Sequence, residues 1–255
     1  MRWLPDWFWG ELVGTFLLVF FGCGAVAISV TTDSLEGVFP VAAVWGVGLT
    51  VAIFLVSAKS GAHLNPAITF PMALFRDFPM RRVPGYIGAQ FLGAILASVA
   101  LLSLYASLIR QFEVTAADTV LSASILGCYF DESRLSHREA FLAELGGTTL
   151  LAFVVFSLTH SKAENRLPPF VIPPAIGGTL VILICLMGPL TAACFNPARD
   201  LGPKVVAASL GGWGLFPFEH NGLAWLTVYT AAPIFGGVLG GWLAERFARV
   251  GTGGE

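Results

Sequence analysis

The sequence predicts an all-α membrane protein, with six transmembrane helices and two half-helices laid out as an inverted repeat. Three observations predict it. The chain of 255 residues is 56% hydrophobic and only 12% charged, about half the charged fraction of a soluble domain. Six mostly apolar runs of about 20 residues or more recur along it, the length a helix needs to cross a bilayer. Two further segments each carry Asn-Pro-Ala, and the order of spans and Asn-Pro-Ala is the same in both halves. So little charge cannot clothe a water-facing surface, which excludes a soluble enzyme and a disordered chain. A net charge of −2 gives no basic footprint for nucleic acid.

The first run, Trp7–Val30, carries one charge, Glu11. It is too long, and lacks the small-residue cleavage site, for a removed signal peptide. Phe39–Ala58 carries no charge and neither does Pro84–Ile109. Ala140–His160 holds only Glu144, while Leu167–Met187 and Asn221–Ala244 hold none. None alternates polar with apolar, so strands of a membrane barrel are excluded. Gly61–Phe75 (GAHLNPAITFPMALF) and Gly188–Ser209 (GPLTAACFNPARDLGPKVVAAS) are apolar at both ends yet too short to cross. Cys23, Cys128, Cys185 and Cys194 show no metal-ligand spacing and read as small core hydrophobes.

The Lys/Arg bias orients the chain. With the N-terminus inside, the inner side receives Arg2, Lys59, Arg76, Arg81, Arg82, Lys162, Arg166, Arg246 and Arg249. The outer side receives Arg110, Arg134, Arg138, Arg199 and Lys204. Both termini are then cytoplasmic, and the stretch Gln111–Arg138, the longest polar loop, is outside.

The chain repeats itself. Glu11-Leu12-Val13-Gly14-Thr15 answers to Glu144-Leu145-Gly146-Gly147-Thr148 at an offset of 133, and Asn65-Pro66-Ala67 to Asn196-Pro197-Ala198 at 131. Tyr86 and Gly93 answer to Tyr229 and Gly236 at 143. The two repeats cover about 7–109 and 140–247, joined by an outer loop 110–139, in a single domain. Three spans per repeat is odd, so the halves sit upside down to one another, with a site at the midplane between them.

Asn is among the best N-caps, and Pro is favoured at the first helical position, where its missing N–H costs nothing. Each Asn-Pro-Ala therefore starts a helix of roughly 15 Å. Two such helices, start to start, fill about 30 Å of hydrocarbon. Each start carries about half a positive charge, and the converging pair repels cations and protons. Asn65 and Asn196 can cap their helices and still turn an NH₂ donor inward. The non-helical stretches before them, Gly61–Leu64 and Gly188–Phe195, are expected to line a cavity with carbonyls, since irregular backbone at membrane depth is tolerated only there or buried in protein.

With both motifs in equivalent places, SGAHLNPA (Ser60–Ala67) and MGPLTAACFNPARDLGPK (Met187–Lys204) closely resemble the two pore loops of the aquaporin, or major intrinsic protein, family. The resemblance runs from Glu11 to about Arg246. It implies six tilted helices plus two half-helices, one pore per subunit, and a homotetramer in the membrane lipid.

Glu11 and Glu144 are ionisable groups inside spans, a functional hypothesis by default. Each can instead accept hydrogen bonds from pore-loop N–H groups and hold the loop, the scaffold role the resemblance implies. His63 reads equally as a ring wedged between loop and span and as a pore-lining group. Arg199 lies one turn into the second half-helix, and Asp200 points about 100° away from it. The resemblance puts Arg199 in the outer constriction, where its charge repels cations and its donors grip solute oxygens.

The family builds that constriction from four positions, which fall here at Trp45, Ile184, Ala193 and Arg199. Strict water channels commonly have Phe at the first and His at the second. Glycerol facilitators typically have Trp, Gly, Phe and Arg. The set here resembles the nodulin-26-like plant branch, typically Trp, Val or Ile, Ala and Arg, which passes glycerol, some water and neutral metalloid hydroxides. Asp200, Lys204 and Pro233-Ile234 are glycerol-type markers. The resemblance thus implies a passive channel for glycerol and related small neutral solutes, with water, excluding ions. A channel for arsenite-type metalloids is the alternative within the class, and a secondary transporter the alternative outside it. No nucleophile–base pair, HExxH or phosphate loop is present, so no enzyme activity and no cofactor or metal is expected. The expected location is the cell (inner) membrane.

Overall fold

The computed structural model describes residues 4–32, 34–116, 118–160 and 167–250, all helices and connections with no strand among them. Arg2, Lys162 and Arg166, three of the cations assigned to the inner side, lie outside the described residues. The order is α1 (Asp6–Thr31), α2 (Val38–Ser60), half-helix α3 (Pro66–Phe75), α4 (Val83–Ala116), a short α5 (Thr119–Ala123), α6 (His137–Leu158), α7 (Ile172–Thr191), half-helix α8 (Pro197–Leu210) and a short α9 (Phe216–Glu219). A last span joins α10 (Ala224–Leu226), a π-helical turn at Thr227–Ala231 and α11 (Ala232–Val250). Six of these helices or joined helices are long and apolar enough to cross a membrane.

Several ends differ from the sequence expectation, each for a local reason. α6 begins at His137 because Ser136 and Glu139 form a reciprocal capping box, satisfying two N–H donors that the first turn leaves open. α7 starts at Ile172, with prolines in its first turn, and continues through Pro189 to Thr191. Gly188–Thr191 is therefore helical, and the irregular stretch shrinks to residues 192–195. Ala192, at φ 63°, ends the helix as its N–H bonds the Gly188 carbonyl at 3.0 Å. α4 runs on to Ala116, since nothing in Arg110–Ala116 breaks a helix, and Glu113 there accepts a hydrogen bond from the Trp213 indole at 2.5 Å.

The connection read as a polar loop is a second correction, because part of it is apolar and buried. After α5 the chain turns inward, and Ile125, Leu126, Cys128 and Phe130 are buried. The Asn221 side chain holds the backbone of this segment: its Oδ1 accepts from Phe130 N at 3.3 Å and its NH₂ donates to Phe130 O at 3.1 Å.

The halves interlock. α1 packs on α2 and α4, α6 packs on α7 and α11, and α2 and α7 meet at the centre. Half-helix α3 rests on α11 of the other half, and α8 rests on α4. Glycine allows the closest approaches. A methyl added at Gly93 would strike the Leu12 carbonyl, and one at Gly236 the Leu145 carbonyl. Those four residues stand at the offsets of the sequence repeat, so the same small-residue contact is built twice.

Candidate functional site

The two Asn-Pro-Ala motifs start α3 and α8 as expected, and the starts meet. The Asn65 side-chain oxygen Oδ1 accepts from Ala67 N at 2.8 Å, and that of Asn196 from Ala198 N at 3.1 Å and Arg199 N at 3.3 Å. Each amide NH₂ then crosses to the other loop. Asn65 Nδ2 donates to Phe195 O at 2.8 Å, and Asn196 Nδ2 donates to Leu64 O at 2.9 Å. Of the two N–H bonds each NH₂ can make, one joins the loops and one is left for the cavity. Pro66, Ala67, Pro197 and Ala198 are buried in the first turns.

Both loops reach this point by the same backbone route. Gly61, Ala62 and Leu64 have φ of 80°, 53° and 54°, and Ala192, Ala193 and Phe195 have 63°, 47° and 51°. Left-handed φ at a non-glycine residue costs about 1–3 kcal/mol and persists only where the surroundings impose it. Glu11 and Glu144 impose it here. Glu11 accepts from His63 N at 3.0 Å and Leu64 N at 2.7 Å. Glu144 accepts from Cys194 N at 2.9 Å, Phe195 N at 2.8 Å and the Thr191 hydroxyl at 2.6 Å. Gln90 adds a third hold on the first loop, donating to Glu11 at 2.7 Å and to the Thr69 hydroxyl at 2.8 Å. Gln90 and Thr191 were missed in the sequence; the signal for Gln90 was a lone amide in an otherwise apolar span.

The loops line a narrow cavity. Its other walls are apolar, with Leu18, Leu49, Ile53 and Leu180 among them. Trp45, Ile184, Ala193 and Arg199 all border it. The Trp45 ring lies against Gly22, where an added methyl would strike the indole. The Arg199 guanidinium stands 4.5 Å from the Trp45 ring centroid. Its residue is 6% exposed, and Nη1 has no hydrogen-bond partner among the described residues. A cation–π contact is worth about 0.5–2 kcal/mol, well short of the several kcal/mol needed to bury an ion. The remaining donors therefore need oxygen atoms from whatever fills the cavity.

His63 lies in the first loop, two residues before Asn65. Its ring is wedged 4.8 Å from Phe78 and 5.0 Å from Tyr86, and it borders the cavity. Asp200 turns away from Arg199. It accepts from Cys128 N at 2.7 Å and pairs with Lys204 at 2.9 Å. Lys204 also donates to Cys128 O at 3.0 Å and faces the rings of Tyr129 and Tyr229 at 4.8 and 4.6 Å. This buried pair clamps the inward-folded connection onto α8.

Residues 7–244 match the sequence profile of the major intrinsic protein family. The chain belongs to that family. A glycerol uptake facilitator of Pseudomonas aeruginosa is 39% identical over 247 residues, covering 94% of this chain and 86% of that one. The Escherichia coli K12 glycerol uptake facilitator is 35% identical, covering 92% and 85%. A propanediol uptake facilitator of Salmonella typhimurium is 33% identical, covering 93% and 91%. Among solved structures, the aquaglyceroporin of Plasmodium falciparum superposes with a TM-score of 0.85 at 24% identity, covering 96% of this chain and 97% of that one. This major intrinsic protein is thus an integral membrane protein with the fold expected of it, and the bonded helix starts are its structural centre.

Proposed function

We propose that this chain is a passive channel, not an enzyme, for glycerol and related small uncharged hydroxylated solutes, with water. One observation carries the reading: two capped helix starts meet at a cavity that also holds a buried Arg199 with an unpartnered donor. Trp45 and Ile184 form an apolar wall for a carbon skeleton. Ala193 leaves room beside them, and Arg199 donates to hydroxyl oxygens. The free N–H of Asn65 and of Asn196 binds the same oxygens at the centre, with Pro66, Ala67, Pro197 and Ala198 holding the helix starts there. Glu11 and Glu144 support the loops, and His63 lines the inner end. The helix starts and Arg199 oppose cations, protons included. The repeats are residues 7–109 and 140–247, joined by 110–139. The channel works as a homotetramer in the lipid of the cell membrane, with both termini cytoplasmic.

A compact solute such as arsenous acid is a second reading. It is favoured by Ile184 and Ala193 standing where a flat aromatic slot would need Gly and Phe. A proton- or sodium-coupled transporter is disfavoured, because both carboxylates near the loops are fully engaged in holding backbone. Reconstituted vesicles test the main reading. Glycerol flux should rise linearly with its gradient and ignore proton or sodium gradients. Saturable, ion-driven uptake would overturn it.

A further inference from the structure

Given the reading of the chain as a glycerol channel, on which this rests, we propose that Gly22 is a positioning residue for its selectivity. Its missing side chain lets the Trp45 indole lie back against α1, and so sets how wide the constriction stands. Gly22 is buried in the middle of α1. Glycine inside a helix is a poorer helix former than alanine, so helix formation gives no reason for it. A β-carbon added at Gly22 would fall closer than 3.0 Å to Cδ2, Cε2 and Cε3 of Trp45, at nearly equal distances. Those are three contiguous atoms of the six-membered ring, so the carbon would stand over the ring's face. The indole thus lies flat on the backbone of α1, with no room between them for a methyl group.

The repeat shows that the contact belongs to one half only. Leu18 of α1 and Leu151 of α6 stand at the offset of 133, and both border the cavity. One turn further on, on the same helix face, the pair is Gly22 and Val155. Val155 borders the cavity as well. At Gly22 the Trp45 indole, brought there by α2, takes that place. A β-branched residue is therefore accommodated at the equivalent point of the other half, and the glycine answers to the indole. The Arg199 guanidinium also lies over this ring, 4.5 Å from its centroid. Ordinary carbon–carbon contact is about 3.5–4.0 Å, so Gly22→Ala would drive the ring roughly 1 Å or more away from α1. The unfilled space beside the ring is the cavity it borders. The ring would move into the path of the solute. Glycerol fills such a constriction more completely than water does, so the same displacement hinders glycerol more.

The test measures glycerol and water permeability by stopped-flow light scattering in vesicles carrying the full chain as wild type, Gly22→Ala, Trp45→Phe and the double variant. Gly22→Ala should lower the glycerol-to-water permeability ratio roughly tenfold, the discrimination that one added carbon produces in a tight apolar pocket. A phenylalanine ring ends short of the six-membered ring of an indole. In the Trp45→Phe background Gly22→Ala should therefore change the ratio by less than about twofold, and this double-mutant cycle isolates the contact between the two positions. An unchanged ratio in Gly22→Ala would overturn the proposal. So would an equal fall in both backgrounds, which would trace the effect to helix packing and not to the indole. Should Gly22→Ala fail to elute as a monodisperse protein, the double variant should elute as the wild type does, and aggregation of both would overturn the proposal too. Wild-type vesicles without glycerol flux would overturn the channel reading itself, and the proposal with it.

Discussion

Glu144→Gln should disable the second pore loop while leaving the six spans in place. The carboxylate accepts from Thr191, Cys194 N and Phe195 N at 2.6, 2.9 and 2.8 Å. An amide of the same size keeps one acceptor oxygen and gains an NH₂. If the NH₂ replaces Oε1, Thr191 can accept its proton, but Cys194 N loses its acceptor. If it replaces Oε2, Phe195 N loses its acceptor. Either way one buried backbone N–H faces another donor. A charge-assisted hydrogen bond lost is about 1.5–3 kcal/mol, and the orphaned N–H costs about 1–3 more. The sum, roughly 2.5–6 kcal/mol, weighs against a loop that already carries three left-handed residues at Ala192, Ala193 and Phe195. A shift of 3 kcal/mol is about a hundredfold in population, so solute flux should fall at least tenfold. Stopped-flow swelling of vesicles in a glycerol gradient measures it, with circular dichroism to show that the helices persist. Wild-type flux from Glu144→Gln would mean that the carboxylate does not hold the loop.

Three further changes test the rest of the site. Arg199→Val should admit cations, seen as a current across planar bilayers where the wild type gives none; a silent variant would assign charge exclusion to the helix starts alone. The double change Ile184→Gly with Ala193→Phe should raise the permeability ratio of glycerol to arsenous acid in vesicle shrinkage assays; an equal or lower ratio would take both residues out of the constriction. Lys204→Met leaves Asp200 charged, buried and without its partner, which costs about 3–5 kcal/mol. Thermal denaturation in detergent should show a clear loss of stability, and an unchanged midpoint would show that the buried pair is not what clamps the connection onto α8.

What was legible in the sequence was what local chemistry dictates. Asn before Pro can do little at membrane depth except begin a helix, so the starts of α3 and α8 could be read directly. The crossing of the two amides could not be read. It depends on Leu64 and Phe195 turning their carbonyls toward the opposite asparagine, and hence on left-handed backbone that Leu and Phe do not advertise. The capping box Ser136…Glu139 was legible and passed over, because the span was sought by hydropathy alone. The inward fold of residues 125–130 was hidden differently. ILGCYF is apolar, but it lies between polar flanks, and only a buried Asp200 and Lys204 across the molecule give its backbone polar groups a reason to leave water. Asp200 and Lys204 sit one helical turn apart, which predicts a bond between them but not the third party they hold. The repeat shows the same boundary. Gly93 and Gly236 could be matched in sequence, yet their purpose lies in the carbonyls of Leu12 and Leu145. Sequence symmetry thus marks where two copies of one contact must exist, and the partner in each contact is set by how the halves are folded against each other.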